Sequence, residues 1–506
     1  MIEGDRRRFR IVIVGAGFSG IGMAIRLRQR GIDDFVLLER ADDVGGVWEL
    51  TTYPGCRCDV ASHLYSFSFA PNPEWSHTFS AQPEIRDYLR RCADAYGIRG
   101  HVRTGVTVGE ARWRENEQDW ELETSDGAYT AQLVVNARGP LTEPLLPDVP
   151  GLDTFAGTVM HSAQWDHSHD LTGERVASVG TGSSAIQYVP EIAPIAAQLT
   201  VFQRTAPWVI PHSDRPISDR QRALFRRIPL AQKAVRAGVY ASRELLVLGF
   251  VKQPAGMALL ERVATAHLRK QVSDPALRSA VTPHFTLGCK RILPSNRWYP
   301  ALQRPNVELV TSALAEVRPH SVVDARGVER QVDTIVLGTG YHVADIPYAA
   351  TVFGRDGLSL RDVWGGSPRA YLGLTVPGFP NFFTMLGPNT GLGHSSMVFM
   401  AESQIAQVLR VIERMDQTGA ATAEVTPAAY EAYNRDVDAR MDGTVWDVGG
   451  CRSWYVDETG RNSTIWPDWT WRFRQRCRRL DPTAYRLRPA ADSRPAPAMP
   501  LQRASG

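Results

Sequence analysis

Several features that would assign this chain to a broad class are scarce or missing. Its 506 residues include only 6 cysteines, too few to suggest a disulfide framework, and none stands in the C-x-x-C pattern of dithiol redox proteins. Cys56 and Cys58 form a C-x-C pair instead. The apolar run at residues 245–251 (LLVLGFV) falls far short of the roughly 20 residues that a membrane span needs, so no integral membrane segment is expected. Charge of either sign is not in excess: Lys and Arg total 57, Asp and Glu 54, and the net charge is +3. The basic residues are spread along the chain, which argues against a nucleic-acid surface. His161, His167 and His169 cluster, but no cysteine or paired carboxylate completes a tetrahedral set, so no metal is expected. A strand opens almost at once in FRIVIVGAG, so no signal peptide is expected and a reducing cytoplasm is the expected compartment.

What is present is ordinary globular composition, 43% hydrophobic and 22% charged, over a length that implies two or three domains. Strand, tight turn, helix and strand follow one another in RIVIVGAGFSGIGMAIRLRQRG and FVLLER (35–40). The same order recurs in ERVASVGTGSSAIQYVPEIA (174–193) and QLTVFQR (198–204). A third short strand, DTIVLGTGY (333–341), ends in glycines. This alternation predicts an α/β fold with parallel sheets and two nucleotide domains. Residues 213–284 instead repeat apolar positions at helical spacing and are read as a helical insertion.

Gly15-x-Gly17-x-x-Gly20 follows a strand and opens a helix. Glycines allow the tight turn and close approach of the backbone, and the helix N-terminus offers free N–H groups to a pyrophosphate. Glu39 ends the next strand, where an acid binds ribose hydroxyls. The second loop is Gly180-x-Gly182-x-x-Ala185, with Ser183 and Ser184 inside it. Here Arg204 and Thr205 replace the acid, a choice that suits a 2′-phosphate and predicts NADPH rather than NADH. Gly45-Gly46-Val47-Trp48, soon after Glu39, adds a second glycine segment beside the first site and suits a larger flavin cofactor. FAD in the first loop and NADPH in the second is the expected arrangement, and it implies hydride transfer between them.

These motifs, with YPGCRCDV (53–60), FAGTVMHSAQWD (155–166), GCKR (288–291), LGTGY (337–341) and GPNTGLGH (387–394), are similar in kind and order to those of class B flavoprotein monooxygenases. Within that class the chain resembles the type I Baeyer–Villiger monooxygenases over roughly residues 9–487. Phe155, Gly157, His161, Trp165 and Asp166 match the fixed positions of that family's fingerprint. Trp165-Asp166 favours the ketone-oxidising branch over the branch that oxidises nitrogen and sulfur.

The resemblance implies an FAD- and NADPH-dependent enzyme that converts a ketone to an ester or lactone through a C4a-peroxyflavin. Sulfide or amine oxygenation by the same species is the alternative, and an electron-transfer reductase is a third. It implies Arg291 as the active-site cation, Asp59 as the acid that orients it, and Lys290 at the 2′-phosphate. It further implies cofactor contacts from Phe18, Ser19, Arg40, Val60, Tyr65, Gly340 and Asn389, a pocket role for Trp454, and a positioning role for His161. The expected division is 1–145 for the first part of the FAD domain and 146–212 for the first part of the NADPH domain. The helical insertion (213–284), 285–331 for the rest of the NADPH domain, 332–487 for the rest of the FAD domain, and a disordered tail at 488–506 follow. Partners are a small ketone and O2, and the chain is expected to be a monomer or homodimer.

Overall fold

In the computed structural model, which describes residues 7–490 apart from 253 and 452, two glycine-anchored sheets organise the chain. The first is built on the strand Arg7–Val14, whose Ile11, Val12 and Ile13 are fully buried. Such a run of β-branched residues suits a strand covered on both faces. It pairs in parallel with Phe35–Leu38 on one side and Gly127–Asn136 on the other. Val102–Arg103 and Phe382–Thr384 extend the parallel part. Val108–Arg114 and Asp119–Thr124 form an antiparallel meander at one side, with Val352–Phe353 beyond it.

The second sheet is wholly parallel, in the order Val307–Val310, Gln198–Phe202, Arg175–Val179, Thr334–Leu337, Thr158–His161. Both sheets are Rossmann-like, as the alternation of elements predicts. The expected domain boundary at 332 is corrected here. Thr334–Leu337 lies inside the second sheet, between Arg175–Val179 and Thr158–His161, so the chain returns to the first sheet only after it. A four-residue apolar strand carries no mark of the sheet it joins, and the glycines that follow it drew it to the wrong one.

The insertion is helical, with helices Asp219–Arg227, Pro229–Glu244 and Ala258–Gln271. Its inner residues Val247, Phe250, Val251 and Met257 pack with Leu287, Trp446, Tyr455 and Ile465 in one apolar cluster. The insertion therefore brings the C-terminal segment against residues 285–291. The expected tail begins too early, because Arg488 and Pro489 close the strand Tyr485–Pro489, paired with Ala420–Val425. The remainder, 491–506, lies outside the described residues. No described helix is long and apolar enough to cross a membrane.

Candidate active site

The first glycine loop is held by contacts that leave no room for side chains. Gly15 has φ +103°, and a Cβ there would meet the Ala137 carbonyl oxygen at 2.8 Å; one on Gly20 would meet the Gly15 oxygen at 1.9 Å. Gly46, at φ +56°, stacks on Gly17, where its Cβ would lie 2.7 Å from the Gly17 Cα. The two glycine segments are thus in backbone contact, and Gly45 N–H also donates to Ala16 C=O at 2.9 Å. Glu39 is buried and accepts from Ala16 N–H at 2.6 Å and Ala41 N–H at 2.9 Å, so it braces the loop from behind. The helix Phe18–Arg28 starts at Gly17 with no side-chain cap and no acid in its first turn. Its positive end is left for an anion. Phe18 and Ser19 are buried there. Phe18 meets Tyr65 edge-on at 5.0 Å, and Tyr65 accepts from the Trp48 indole at 3.1 Å. Val47 begins a short helical turn and Val60 is buried beside Cys58. Arg40 is placed differently: it is exposed and spends its guanidinium on Glu143 and the Thr142 carbonyl.

The second loop repeats the design. Gly180 has φ +106°, and a Cβ there would meet the Gly338 oxygen at 2.5 Å. The helix Ala185–Ile192 follows Ser183 and Ser184, again uncapped by a side chain and without an acid in its first turn. Arg204 and Thr205 are exposed at the end of Gln198–Phe202. Lys290 is half-buried, and burial first and Arg204's charge second push its ammonium below the ordinary lysine value. Among the described residues neither cation has a carboxylate partner. Two neighbouring unpaired cations suit a 2′-phosphate. Arg204→Ala should raise the KM for NADPH about tenfold, a loss of one charge-assisted contact, and leave that for NADH nearly unchanged. Equal losses for both would remove Arg204 from phosphate recognition.

The chain also leaves the space that dinucleotides require. A Cβ on Gly17 would make only an ordinary 3.5 Å contact, and one on Gly182 or Gly340 would meet nothing within 4 Å. These glycines are not needed to pack the protein against itself at those points. Gly340 lies where the chain crosses back from the second sheet, its carbonyl accepting from Leu145 N–H at 2.9 Å.

Arg291 and Asp59, 232 positions apart, meet as a bidentate pair, Nε to Oδ2 at 2.7 Å and Nη2 to Oδ1 at 2.6 Å. Burial alone would raise the Asp59 carboxyl, but the charge and hydrogen bonds of Arg291, aided by Arg243, outweigh it and hold it below the usual carboxylate range. Asp59 in turn raises the Arg291 pKa against burial. The Nη1 of Arg291 has no partner among the described residues. Arg291 lines a cavity of about 340 Å³ with Leu392, Met397, Trp454 and Ile465. Trp454 is 48% exposed and edges onto Tyr455 at 4.4 Å between ring centres.

Asn389 does not face an open site. It is buried at φ +54°, donates to the carbonyls of Asn462 and Ile465, and accepts from Arg461. It clamps the C-terminal segment, and its place in a glycine-rich run concealed that. The C-x-C cysteines are buried, and burial pushes Cys56 up to about 12 and Cys58 higher. Thiols so protonated are inert.

The fingerprint divides into local duties. Phe155 packs against the core of the second sheet. Gly157 passes so close to that sheet that a Cβ would lie 2.1 Å from the Asp333 oxygen. Trp165 rests on Tyr188 of the second nucleotide helix, at 5.6 Å between rings. Asp166 is exposed and caps its own turn through Ser168. His161 ends the edge strand Thr158–His161, its Nδ1 accepting from Ala163 N–H at 3.0 Å. Its buried Nε2 has no hydrogen-bond partner among the described residues. Burial lowers its pKa to about 4, against a small upward pull from Gly340. The native state therefore keeps this imidazole neutral, and the stability it contributes is lost as pH falls from 6.5 toward 4. A ring neutral at pH 7 is no proton donor of consequence. His161→Ala should keep FAD and lower the ester formed per NADPH. Purification of the variant without flavin would make the residue purely structural.

Two features carried no readable sequence signal. Arg243, from the helix Pro229–Glu244, bears electrostatically on both Asp59 and Arg291. Cys289 and Cys451 form a disulfide with Cα atoms 6.1 Å apart. The sequence suggested no disulfide framework and did not show this single bond: the partners lie 162 positions apart, so no local spacing reveals them.

Two open nucleotide loops, an unpaired cation pair and a part-buried guanidinium–carboxylate pair define a flavoprotein oxidoreductase of the two-dinucleotide class. Accordingly, the family described as pyridine nucleotide-disulphide oxidoreductase matches residues 12–223. A Baeyer–Villiger monooxygenase of Streptomyces coelicolor is 51% identical over 95% of this chain and 93% of its own length. The structure of OTEMO in complex with FAD and NADP superposes with a TM-score of 0.85 at 28% identity, over 95% of this chain and 99% of that one. The closed crystal structure of cyclohexanone monooxygenase gives a TM-score of 0.86 at 27% identity, over 96% and 100%. The chain belongs to the Baeyer–Villiger monooxygenase family.

Proposed function

We propose that this chain uses NADPH and O2 to insert one oxygen atom beside a ketone carbonyl, giving an ester or lactone, NADP+ and water, with Arg291 as the cation at the reacting atoms. When bound, FAD takes a hydride from NADPH and activates O2 for the insertion. The glycine loop at Gly15–Gly20 would hold its pyrophosphate, the Gly180 loop that of NADPH, and Arg204 with Lys290 the NADPH 2′-phosphate.

The observation that carries the reading is the bidentate Arg291–Asp59 pair, whose Arg291 lines the cavity and whose Nη1 has no partner among the described residues. Asp59 occupies two of the guanidinium donors and so fixes its plane. The two N–H groups of Nη1 can hold the carbonyl oxygen as negative charge develops on it. A donor held in place before the reaction loses nothing to reorganisation when that charge appears. Leu392, Met397, Trp454 and Ile465 give this part of the cavity an apolar surface that favours an apolar ketone. The chain is proposed to act as a monomer or homodimer in the cytoplasm.

A panel of linear, cyclic, aryl and polycyclic ketones tests this reading. At least one should give one ester per NADPH consumed. NADPH oxidation that yields only hydrogen peroxide with every ketone, alongside clean sulfoxidation of a sulfide, would move the chain to soft-atom oxygenation.

A further inference from the structure

The Cys289–Cys451 bond lies two residues before Arg291 and three before Trp454. Both sides of it are shaped for close approach. Gly288 at φ +99° and Gly450 at φ +72° turn the chain immediately before each cysteine. A Cβ on Gly449 would lie 2.7 Å from the Cys289 Cβ and 2.9 Å from its sulfur. Besides the bridge, one backbone hydrogen bond, Thr286 N–H to Gly449 C=O at 3.0 Å, joins 284–292 to 449–456 among the described residues. Beyond the bridge Tyr455 is buried, with a hydroxyl that has no hydrogen-bond partner among the described residues, and it feels the charges of Arg291 and Asp59. Apolar packing of Leu287 with Tyr455 adds a non-directional contact between the two segments, and the bridge is the covalent one.

We propose that the Cys289–Cys451 disulfide is a positioning tether that holds the Trp454–Tyr455 segment over Arg291, and that its reduction loosens the substrate side of the site. The proposal rests on the reading of Arg291 and Trp454 as substrate-facing. The bond forms when one thiolate attacks hydrogen peroxide, giving a sulfenic acid and hydroxide. The second thiol's sulfur then attacks the sulfenic sulfur and water leaves. Two thiols lose two electrons in all, and one peroxide becomes two waters. An external dithiol reverses it by attacking Cys451, displacing the Cys289 thiolate, and closing its own disulfide. Cys451 is the accessible partner, half-buried where Cys289 is 1% exposed.

The holoenzyme, treated with peroxide or with dithiothreitol and then desalted, provides the test. Under denaturing conditions the oxidised protein should titrate 4 free thiols, matching the four unpaired cysteines, and the reduced protein all 6. Reduction should raise the ketone KM about tenfold, because an ordered wall becomes a mobile one. It should also lower ester per NADPH, with FAD content and the KM for NADPH unchanged. Re-oxidation should restore both. Cys289→Ser and Cys451→Ser should each behave as the reduced enzyme and ignore the reductant. Six titratable thiols after peroxide, or equal ketone KM and coupling in both states, would overturn the tether. A loss of FAD and thermal stability without a KM change would make the bond structural only, which also overturns it. Protease cleavage within 449–462, faster in the reduced protein, reads the tether without turnover. Absence of ester in both states therefore counts against the proposed function and leaves the tether to be judged by cleavage.

Discussion

Arg291→Ala should abolish ester formation while NADPH oxidation by the bound flavin continues. A donor aimed at developing charge is worth about a hundred- to a thousandfold in rate, and Arg291 lines the cavity with an Nη1 that has no partner among the described residues. The variant also strands Asp59, a part-buried carboxylate that loses its partner, so the protein should be less stable. Arg291→Ala/Asp59→Asn removes that penalty and separates chemistry from folding: it should melt closer to the native protein yet remain inactive. Arg291→Lys keeps the charge but loses the two-point hold on Asp59, so it should retain only a small part of the rate. Ester formation by Arg291→Ala within about threefold of the native rate, well inside the loss expected for such a donor, would remove Arg291 from the reaction.

Gly17→Ala should leave a folded protein that has lost most of its affinity for FAD. Within the chain an added methyl at this site makes only an ordinary contact, 3.5 Å from Gly46, so the fold has no reason to change. The methyl intrudes on the face offered to the pyrophosphate, and overpacking of about 1–3 kcal/mol corresponds to roughly a tenfold to hundredfold weaker complex. Gly20→Ala is the contrasting case, because its methyl strikes the Gly15 carbonyl and distorts the loop even without ligand. Flavin content and circular dichroism, read together, separate the two. Full flavin occupancy in Gly17→Ala would mean that the cofactor does not approach this loop.

What the sequence revealed followed the range of the interactions involved. Glycine loops are local objects: a tight turn, an open helix end and an acid on the next strand all lie within a few dozen residues. Both loops were legible for that reason. The Arg291–Asp59 pair spans 232 positions, and nothing in either segment names its partner; only likeness to a known family linked them. The Cys289–Cys451 bond had no such guide and was missed. The strand Thr334–Leu337 was assigned to the wrong sheet because four buried apolar residues fit either one equally well. Asn389 shows the converse difficulty, since a residue in a conspicuous motif proved to hold the C-terminal segment through Asn462, Ile465 and Arg461. The fingerprint, conspicuous as a pattern, resolves into packing of the second sheet at Phe155, Gly157 and Trp165. His161 stands near the crossing between the two sheets, its ring edge-on to Tyr341.

Isotope labelling tests the central claim most directly. Turnover of a responsive ketone under ¹⁸O2 in unlabelled water should give an ester carrying one heavy oxygen, in the bridging position, with the other heavy atom in water. An ester without label, or heavy hydrogen peroxide as the sole labelled product, would contradict oxygen insertion by this chain.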